Sequence, residues 1–361
     1  GRKQKMDISA KVKGIKYKPF CCQKLKTYKW EDIKTKLPKE GSFLIEFKGN
    51  DKMAVSKWAS PKRTRTYPYA RVYDTLNFQG KKVTIIPIIK DEGKAGERDY
   101  LQWDTIALMS LLNVYTIISY YSEAHKSVRN NQKITLQSFD MNHIEQEIKN
   151  LLSYQSDALH WNISQMKNAQ NVFIKAMDAY NVISKKLEIE LHSKSQAEER
   201  LKIMLEGINN FMSLSRSNAK KAQEREVATI QPKEKLSGNK GSITIINYIG
   251  GEYYFTCDEV EIKNNNVYLI EGKHSKNNLP SVSDIKDGLF KMILYVNLTE
   301  VEINKKIYIP KPVLKLTNEG TFCEKKLREE QKEFLRNLKK EALTNKFQVL
   351  INSKDLQILN I

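Results

Sequence analysis

Residues 255–275 read FTCDEVEIKNNNVYLIEGKHS, and this stretch decides how the C-terminal part of the chain folds. Two runs rich in β-branched and aromatic residues flank an Asn-rich turn, and Asn tolerates the positive φ that a tight hairpin requires. The segment therefore predicts a β-hairpin. Alternate residues of a strand face the same side, so Glu271 and Lys273 should project together. The hairpin should bring Asp258 back beside them.

The pattern around this hairpin predicts the order strand, strand, strand, helix, strand, helix, strand. Ser281, followed three residues later by Asp284, forms a capping box that starts the first helix, and apolar residues then recur at helical spacing. The predicted elements are strands over 242–249, 253–262 and 267–273, a helix over 281–294, a strand over 307–316, a helix over 324–345 and a strand over 347–351. A polar break at 231–241 precedes them and predicts a linker or loop.

The whole chain divides into three regions by its patterns, and we expect an α/β (α+β) protein. Residues 1–138 alternate short strand-like runs with turn residues and form an N-terminal mixed α/β region. Residues 139–230 carry apolar stripes at helical spacing and form a helical region. Residues 231–361 form the catalytic core region, which contains the hairpin. The uncharged stretch 105–122 predicts a buried core helix, because Asn113 and several hydroxyls disfavour a membrane span.

Charge and cysteine content narrow the class of protein. The 361 residues include 61 Lys and Arg against 42 Asp and Glu, a net charge of +19, which favours a polyanionic partner such as nucleic acid. The four Cys match no zinc or redox spacing and predict free thiols in a reducing compartment. No P-loop is present, so ATP is not expected as a partner. A membrane is not expected either, because the basic residues are spread along the whole chain.

Two carboxylates and one ammonium at the end of an apolar strand suit the hydrolysis of a phosphodiester. Mg²⁺ needs only one or two carboxylates and keeps most of its waters, and a bound metal acidifies water and neutralises charge on phosphate. Asp258, Glu271 and the backbone carbonyl of Gly272 are the candidate metal ligands. Lys273 can orient the attacking water, or deprotonate it where neighbouring cations lower its own pKa.

The segment resembles the PD-(D/E)XK nuclease superfamily, whose pattern is an Asp on one strand and Glu-x-Lys on the next. The resemblance implies a mixed-sheet core flanked by helices, with Asp258 and Glu271 on Mg²⁺ and Lys273 beside the attacking water. Many members add a Glu from the first helix, which is expected here near 215–227, and Glu224 and Glu226 are the candidates. The sequence departs from the pattern at Cys257, which replaces the name-giving Pro.

Two ambiguities accompany this assignment. Glu259 and Glu261 lie on the opposite face of the strand from Asp258, and either could take its place if that face pointed inward. In addition, Asp32 precedes Glu46-Phe47-Lys48 by a similar spacing. That second match lacks a convincing strand for Asp32, so it is interpreted as a structural strand with solvated charges.

A second basic segment, residues 57–73 (KWASPKRTRTYPYARVY), predicts contact with DNA. Basic and aromatic side chains alternate there, which suits binding to phosphates and bases. The candidate DNA-binding residues are Lys57, Lys62, Arg63, Arg65, Tyr67, Tyr69 and Arg71. DNA recognition is therefore the expected function of the region 1–138.

The sequence thus predicts a sequence-specific endonuclease of double-stranded DNA, similar to type II restriction enzymes. The resemblance implies the cytoplasm of a prokaryotic cell as its location. A homodimer is one expectation, because cleavage of two strands often uses two-fold symmetry. The alternatives are a structure-specific or repair nuclease with the same core, and a non-catalytic nucleic-acid-binding protein.

Overall fold

Strand β1 (Met6–Val12) belongs to the sheet of the C-terminal part of the chain. The computed structural model describes residues 6–62, 68–193, 195–197, 199, 239–247 and 252–360. These residues form two compact units, which we call unit 1 (Gly1–Gln23 with Arg216–Ile361) and unit 2 (Lys24–Ser215). Ile8, Ala10 and Val12 are buried on one face of β1, so a short N-terminal segment completes the core of unit 1.

Unit 2 contains a five-stranded sheet with helices packed against it. Its elements are β2 (Thr27–Lys29), α1 (Ile33–Lys36), β3 (Ser42–Glu46), β4 (Lys52–Lys57), α2 (Pro68–Thr75), β5 (Lys82–Pro87), β6 (Ile89–Asp91), β7 (Arg98–Tyr100), α3 (Trp103–Leu111), β8 (Tyr115–Ser119), β9 (Tyr121–Lys126), β10 (Ile134–Phe139), α4 (Met141–Ser153) and α5 (Ala158–Leu187). The sheet order is β2-β3-β4-β5-β8, and β4, β5 and β8 run parallel. One apolar cluster joins this sheet to residues of α1, α4 and α5, as expected for strands that bury both faces.

Unit 1 contains an eight-stranded mixed sheet that closes on itself. Its remaining elements are β11 (Asn239–Asn247), β12 (Glu252–Lys263), β13 (Asn266–Ser275), α6 (Val282–Tyr295), β14 (Leu298–Ile303), β15 (Lys306–Asn318), α7 (Glu329–Asn345), β16 (Gln348–Ile351) and β17 (Lys354–Asp355). The order is β13-β12-β11-β1-β14-β15-β16-β17, and β15 also pairs with β13, so the first six strands form a ring. Helix α6 and strand β14 connect β13 to β15, which is parallel to β13.

The predicted elements of the C-terminal part are confirmed, and strands β14 and β17 are additions to them. The hairpin β12–β13, the helix α6 with its Ser281 cap, the strand β15, the helix α7 and the strand β16 all appear in the predicted order. Strand β14, which forms a hairpin with β15, was not predicted. Its sequence, LTEVEI, is half polar, because only Leu298, Val301 and Ile303 are buried.

The prediction of a single buried helix over 105–122 is wrong in its second half. The stretch is buried, but α3 ends at Leu111 and strand β8 begins at Tyr115. Asn113 lies between them with φ of 54°, a left-handed conformation that stops a helix. The residues that follow are mostly β-branched or aromatic, and they pair with β5 in the middle of the apolar core.

The units differ from the three predicted regions. Helices α4 and α5 pack on strand β8 and so belong to unit 2, because their apolar faces complete that core. Among the described residues no helix could cross a membrane. All four Cys are free thiols, as the sequence predicts.

Candidate active site

Strand β13 presents Glu271 and Lys273 on one face, as the alternation of the sequence predicts. Its parallel partner β15 places Leu314 beside Glu271 and Leu316 beside Lys273. These leucines are fully buried, and Glu271 is only 2% exposed. A carboxylate at such a depth is stable only when charge and hydrogen bonds compensate it.

Asp258 lies just beyond the end of the backbone pairing between β12 and β13, beside Glu271. The pairing between β12 and β13 begins at Glu259 and Ile270, and beyond it the Asp258 Oδ2 accepts the backbone N–H of Gly272 at 2.8 Å. On its other edge, β12 has a bulge, because Cys257 pairs with Gly241 but Val260 pairs with Asn239. A bulge redirects side chains, and here it turns the Asp258 carboxylate toward β13.

A chain of four alternating charges runs across the candidate site. The Lys273 Nζ lies 2.7 Å from Asp287 Oδ2 and 3.0 Å from Glu271 Oε1. The other oxygen of Glu271, Oε2, lies 2.8 Å from the Lys291 Nζ. Lys291 also donates to the carbonyl of Thr256 at 3.2 Å. Both oxygens of Glu271 are therefore paired with ammonium groups, which compensates its burial.

Helix α6 supplies the two outer members of this chain from successive turns. Asp287 and Lys291 are four residues apart and therefore project from the same helical face. Gly288 lies between them, and a Cβ there would approach Leu314 Cδ1 to 2.6 Å and Lys273 Cε to 3.3 Å. The missing side chain lets the helix lie close enough for Asp287 to reach Lys273.

Burial and neighbouring charges shift the three central groups in different directions. Burial, together with the charge of Glu271, raises the pKa of Asp258 to about 7. Burial acts to raise the pKa of Glu271 as well, but Lys291 and Lys273 outweigh it and hold that pKa below its ordinary value. Burial acts to lower the pKa of Lys273, but Glu271 and Asp287 raise it above the ordinary value. Lys273 is therefore a stable cation and a poor base, while Asp258 titrates near neutral pH.

The two alternative carboxylates lie elsewhere. Glu259 is fully buried, and its Oε2 pairs with the Lys315 Nζ at 3.1 Å. Lys315 is the β15 partner of Gly272, so this pair lies on the opposite face of the sheet from Glu271. Glu261 is half-buried and pairs with Lys263 at 2.8 Å. Asp258 is thus the carboxylate of β12 that the fold brings to Glu271.

The donors at this site suit a weakly held, largely hydrated cation. Among the described residues no group of three or more His, Cys, Asp or Glu side chains is arranged to hold a metal ion. Asp258 and Glu271 provide two carboxylates, which is the number that Mg²⁺ commonly takes from protein. The carbonyl of Gly272 shares a strand edge with its N–H and so faces the Asp258 side. These oxygens fit a hydrated Mg²⁺ and do not form a closed cage.

The candidate DNA-binding segment is only partly accessible. Tyr69 is buried in unit 2. The Lys57 Nζ donates to the carbonyl of Pro38 at 2.7 Å, and Arg71 donates to the carbonyl of Lys57 at 3.0 Å, so both cations also hold the local fold. Lys62 is exposed. The remaining candidates lie outside the described residues: Arg63, Arg65 and Tyr67 of this segment, and Glu224, Glu226 and the predicted first helix of the core.

The second Asp and Glu-x-Lys match does not form a site. Asp32 and Lys48 are both exposed. Glu46 ends strand β3 and pairs with Lys52 at 3.2 Å, across the hairpin to β4. These are solvated charges on a structural strand, as interpreted from the sequence.

Sequence reasoning missed Asp287 and Lys291. Their signal is the polar interruption of an apolar helix, at two positions one turn apart that flank Gly288. Spacing within the helix places both on the face that meets the sheet, but only the pairing of β13 with β15 shows which strand residues they meet. A comparison of the chain with protein-family models, curated proteins and solved structures finds no match in any of the three.

Proposed function

We propose that this protein is a Mg²⁺-dependent, sequence-specific endonuclease of double-stranded DNA, similar in kind to type II restriction enzymes. The observation that carries the proposal is the convergence of Asp258, Glu271 and Lys273 at the end of strand β13. A buried ion pair between Glu271 and Lys273, next to a carboxyl group whose pKa is strongly raised, is typical of catalytic sites. The net charge of +19 supports a polyanionic substrate.

The topology of unit 1 supports the same proposal. Three antiparallel neighbours, β11, β12 and β13, precede α6, and the chain then returns to β15 in parallel with β13. The resemblance to PD-(D/E)XK nucleases implies a first helix, a three-stranded meander, a second helix and a further strand, and unit 1 has this order from the meander onward. The ring closure through β1 and β14 is an addition to that order.

The mechanism follows from what each side chain can do. Asp258, Glu271 and the carbonyl of Gly272 would hold Mg²⁺, which supplies acidified water and neutralises charge on the phosphate. Lys273 stays charged, and two of its three N–H groups already bind Glu271 and Asp287, so its remaining N–H would donate to the incoming water and Lys273 would not act as the base. Asp287 fixes the position of the Lys273 ammonium. Lys291 fixes the Glu271 carboxylate.

A second candidate function is favoured by one specific observation. Both oxygens of Glu271 already pair with ammonium groups. A protein that binds nucleic acid without cutting it could use the same network as a structural clamp, because a buried carboxylate needs compensation in either case.

The experiment that separates these functions is a digest of supercoiled plasmid with Mg²⁺, with EDTA, and with EDTA followed by excess Mg²⁺. The proposal predicts discrete fragments only where Mg²⁺ is free, with one common sequence at the sequenced ends. Cuts that follow branches or nicks would identify a structure-specific nuclease. Intact plasmid, together with DNA binding that is equal with and without Mg²⁺, would identify the non-catalytic binding protein.

A further inference from the structure

Unit 2 contains a cleft of about 810 Å³ at one end of its parallel strands. Lys57 ends β4, Lys90 follows β5, and Tyr121 follows β8 after a short turn, and all three line the cleft. The cleft therefore lies outside the carboxyl ends of β4, β5 and β8. Open parallel sheets commonly bind their ligands at this edge.

Two partly buried cations, Lys57 and Arg71, lie together in this cleft. Their hydrogen bonds go to carbonyl oxygens, and in the part of the chain that the structure describes neither forms an ion pair with a carboxylate. Burial and the charge of Arg71 lower the pKa of Lys57 to about 8. Two partly desolvated cations that repel each other form a site where an anion is stabilised.

The position of Arg71 is fixed by the backbone around it. Its Nε lies where a Cβ on Gly41 would approach to 2.9 Å, and its terminal nitrogen donates to the Lys57 carbonyl. Two acidic residues of the lining, Glu92 and Asp140, bind other groups, and the third, Glu123, is exposed. Glu92 pairs with Lys90 and Lys133, both at 3.3 Å, and Asp140 caps helix α4. The positive end of the cleft is therefore preorganised.

The other wall of the cleft is apolar and aromatic. Phe139 is half-buried and stacks on Tyr121 with 4.5 Å between the ring centroids. Leu136 is 73% exposed and has φ of 47°, in a stretch where the β9–β10 register shifts. A left-handed leucine at a bulge is strained, and such strain concentrates where a side chain is held for binding. Here the bulge places an apolar side chain at the mouth of a basic cleft.

We propose that this cleft binds one unstacked nucleotide of a nucleic-acid strand. The phosphate would lie against Lys57 and Arg71, the base against Phe139, and Leu136 would fill the gap that the nucleotide leaves in the stack. The volume is within the range of pockets that enclose a small ligand. The inference rests on the proposed function, because that function makes nucleic acid the substrate. Unit 2 would then bind the nucleic acid.

The test is photo-cross-linking of the full chain in EDTA, so that no strand is cut. The probes are degenerate oligonucleotides, single-stranded and duplex, in which 5-iodouracil replaces thymine and reports contact with aromatic rings. The expected cross-link is to Phe139. Arg71→Gln should weaken binding by about fivefold or more and reduce the cross-link in proportion. Leu136→Ala should reduce the cross-link with the duplex more than with the single strand, since only a duplex must be unstacked.

Val128→Ala is the matched control, because Val128 is fully exposed on the same hairpin and does not line the cleft. It should change neither affinity nor cross-link. Leu136→Ala loses no core contact, so its result stands even if Arg71→Gln fails to fold. Unchanged binding and cross-linking in Leu136→Ala, or cross-links that map away from residues 134–142, would overturn the inference. So would full competition by thymidine 5′-monophosphate without any cross-link to a strand, which would assign the cleft to a free nucleotide.

Cleavage and cross-linking test the nuclease assignment and the nucleotide site separately. A chain that cuts plasmid with Mg²⁺ but gives no cross-link in the cleft retains the nuclease assignment and loses this one. A chain that cross-links through Phe139 but never cuts retains the nucleotide site and loses the nuclease assignment.

Discussion

The carboxylate of Asp258 accepts a hydrogen bond from the backbone N–H of Gly272 at 2.8 Å, at the position where the next backbone hydrogen bond between β12 and β13 would be. A side chain thus replaces a backbone acceptor at the end of the hairpin. This exchange holds Asp258 beside Glu271, and it also buries a carboxylate that has no ammonium of its own within ion-pair distance in the described part of the chain. Burial therefore disfavours the charged form of Asp258.

Asp258→Asn should stabilise the metal-free protein at alkaline pH. Asp258 has a pKa of about 7 in the folded protein against an ordinary value of 3.8, so the folded state holds its proton over a window where the unfolded state has lost it. The free energy of unfolding should therefore fall as pH rises from about 4 to about 7, by at most about 1.4 kcal/mol per pH unit. Asn removes this dependence and keeps an acceptor for Gly272.

The measurement is the melting temperature of both proteins in EDTA across that pH range. We expect equal melting temperatures near pH 4 and a higher one for the variant near pH 8. A variant that is less stable than the wild type at pH 8 would show that another cation or hydrogen bond compensates the Asp258 carboxylate. Plasmid cleavage by the same variant should be lost, because the negative charge at the metal site is gone.

Lys273→Ala should abolish cleavage and leave DNA binding intact. The ammonium lies between Glu271 and Asp287 and acts on the reacting groups, so its removal should lower the cleavage rate by roughly 100-fold or more. Plasmid cleavage and a binding assay in EDTA measure the two effects. Lys315→Ala is the matched control, because Lys315 also pairs with a buried glutamate, Glu259, but on the opposite face. Equal losses in both variants would mean that the effect is one of stability.

Lys291→Met should both destabilise unit 1 and move the acid limb of the cleavage profile to higher pH. Glu271 would lose one of its two ammonium partners, so its pKa should rise and the free energy of unfolding should fall by about 2 kcal/mol. Chemical denaturation and the pH dependence of the cleavage rate are the measurements. Lys291→Gln keeps a donor to Glu271 and should recover part of the stability but not the pH profile. An unshifted profile in Lys291→Met would show that Glu271 does not titrate in the cleavage reaction.

Ile8→Ala should destabilise unit 1, although Ile8 lies far from the hairpin in sequence. Ile8 is 2% exposed in strand β1, between β11 and β14, so its truncation should cost about 2–5 kcal/mol. Ile307→Ala in the same unit is the control, because Ile307 is 60% exposed and should change stability by less than about 0.5 kcal/mol. Urea denaturation of both variants compares them. Equal stability would place β1 outside the core that holds the site.

The ambiguities of the sequence were resolved by pairing between strands. Spacing alone left Asp258, Glu259 and Glu261 as alternatives for the carboxylate beside Glu271. The two-residue alternation of a strand separates its faces but does not show which face meets Glu271. The bulge at Cys257 and Val260 and the ion pair of Glu259 with Lys315 settle that choice. Asp287 and Lys291 could not be assigned either, because helix spacing gives their face but not the strand they meet.

The sequence by itself determined the local elements: the hairpin through its Asn-rich turn, the start of α6 through Ser281, and the common face of Glu271 and Lys273 through strand alternation. These follow from neighbours a few residues apart. The tertiary structure alone decided that β1 closes the sheet of unit 1, that α4 and α5 complete unit 2, and that Lys291 compensates Glu271. The physical reason is that burial of apolar faces and of charge depends on partners distant in the chain, which no local pattern specifies.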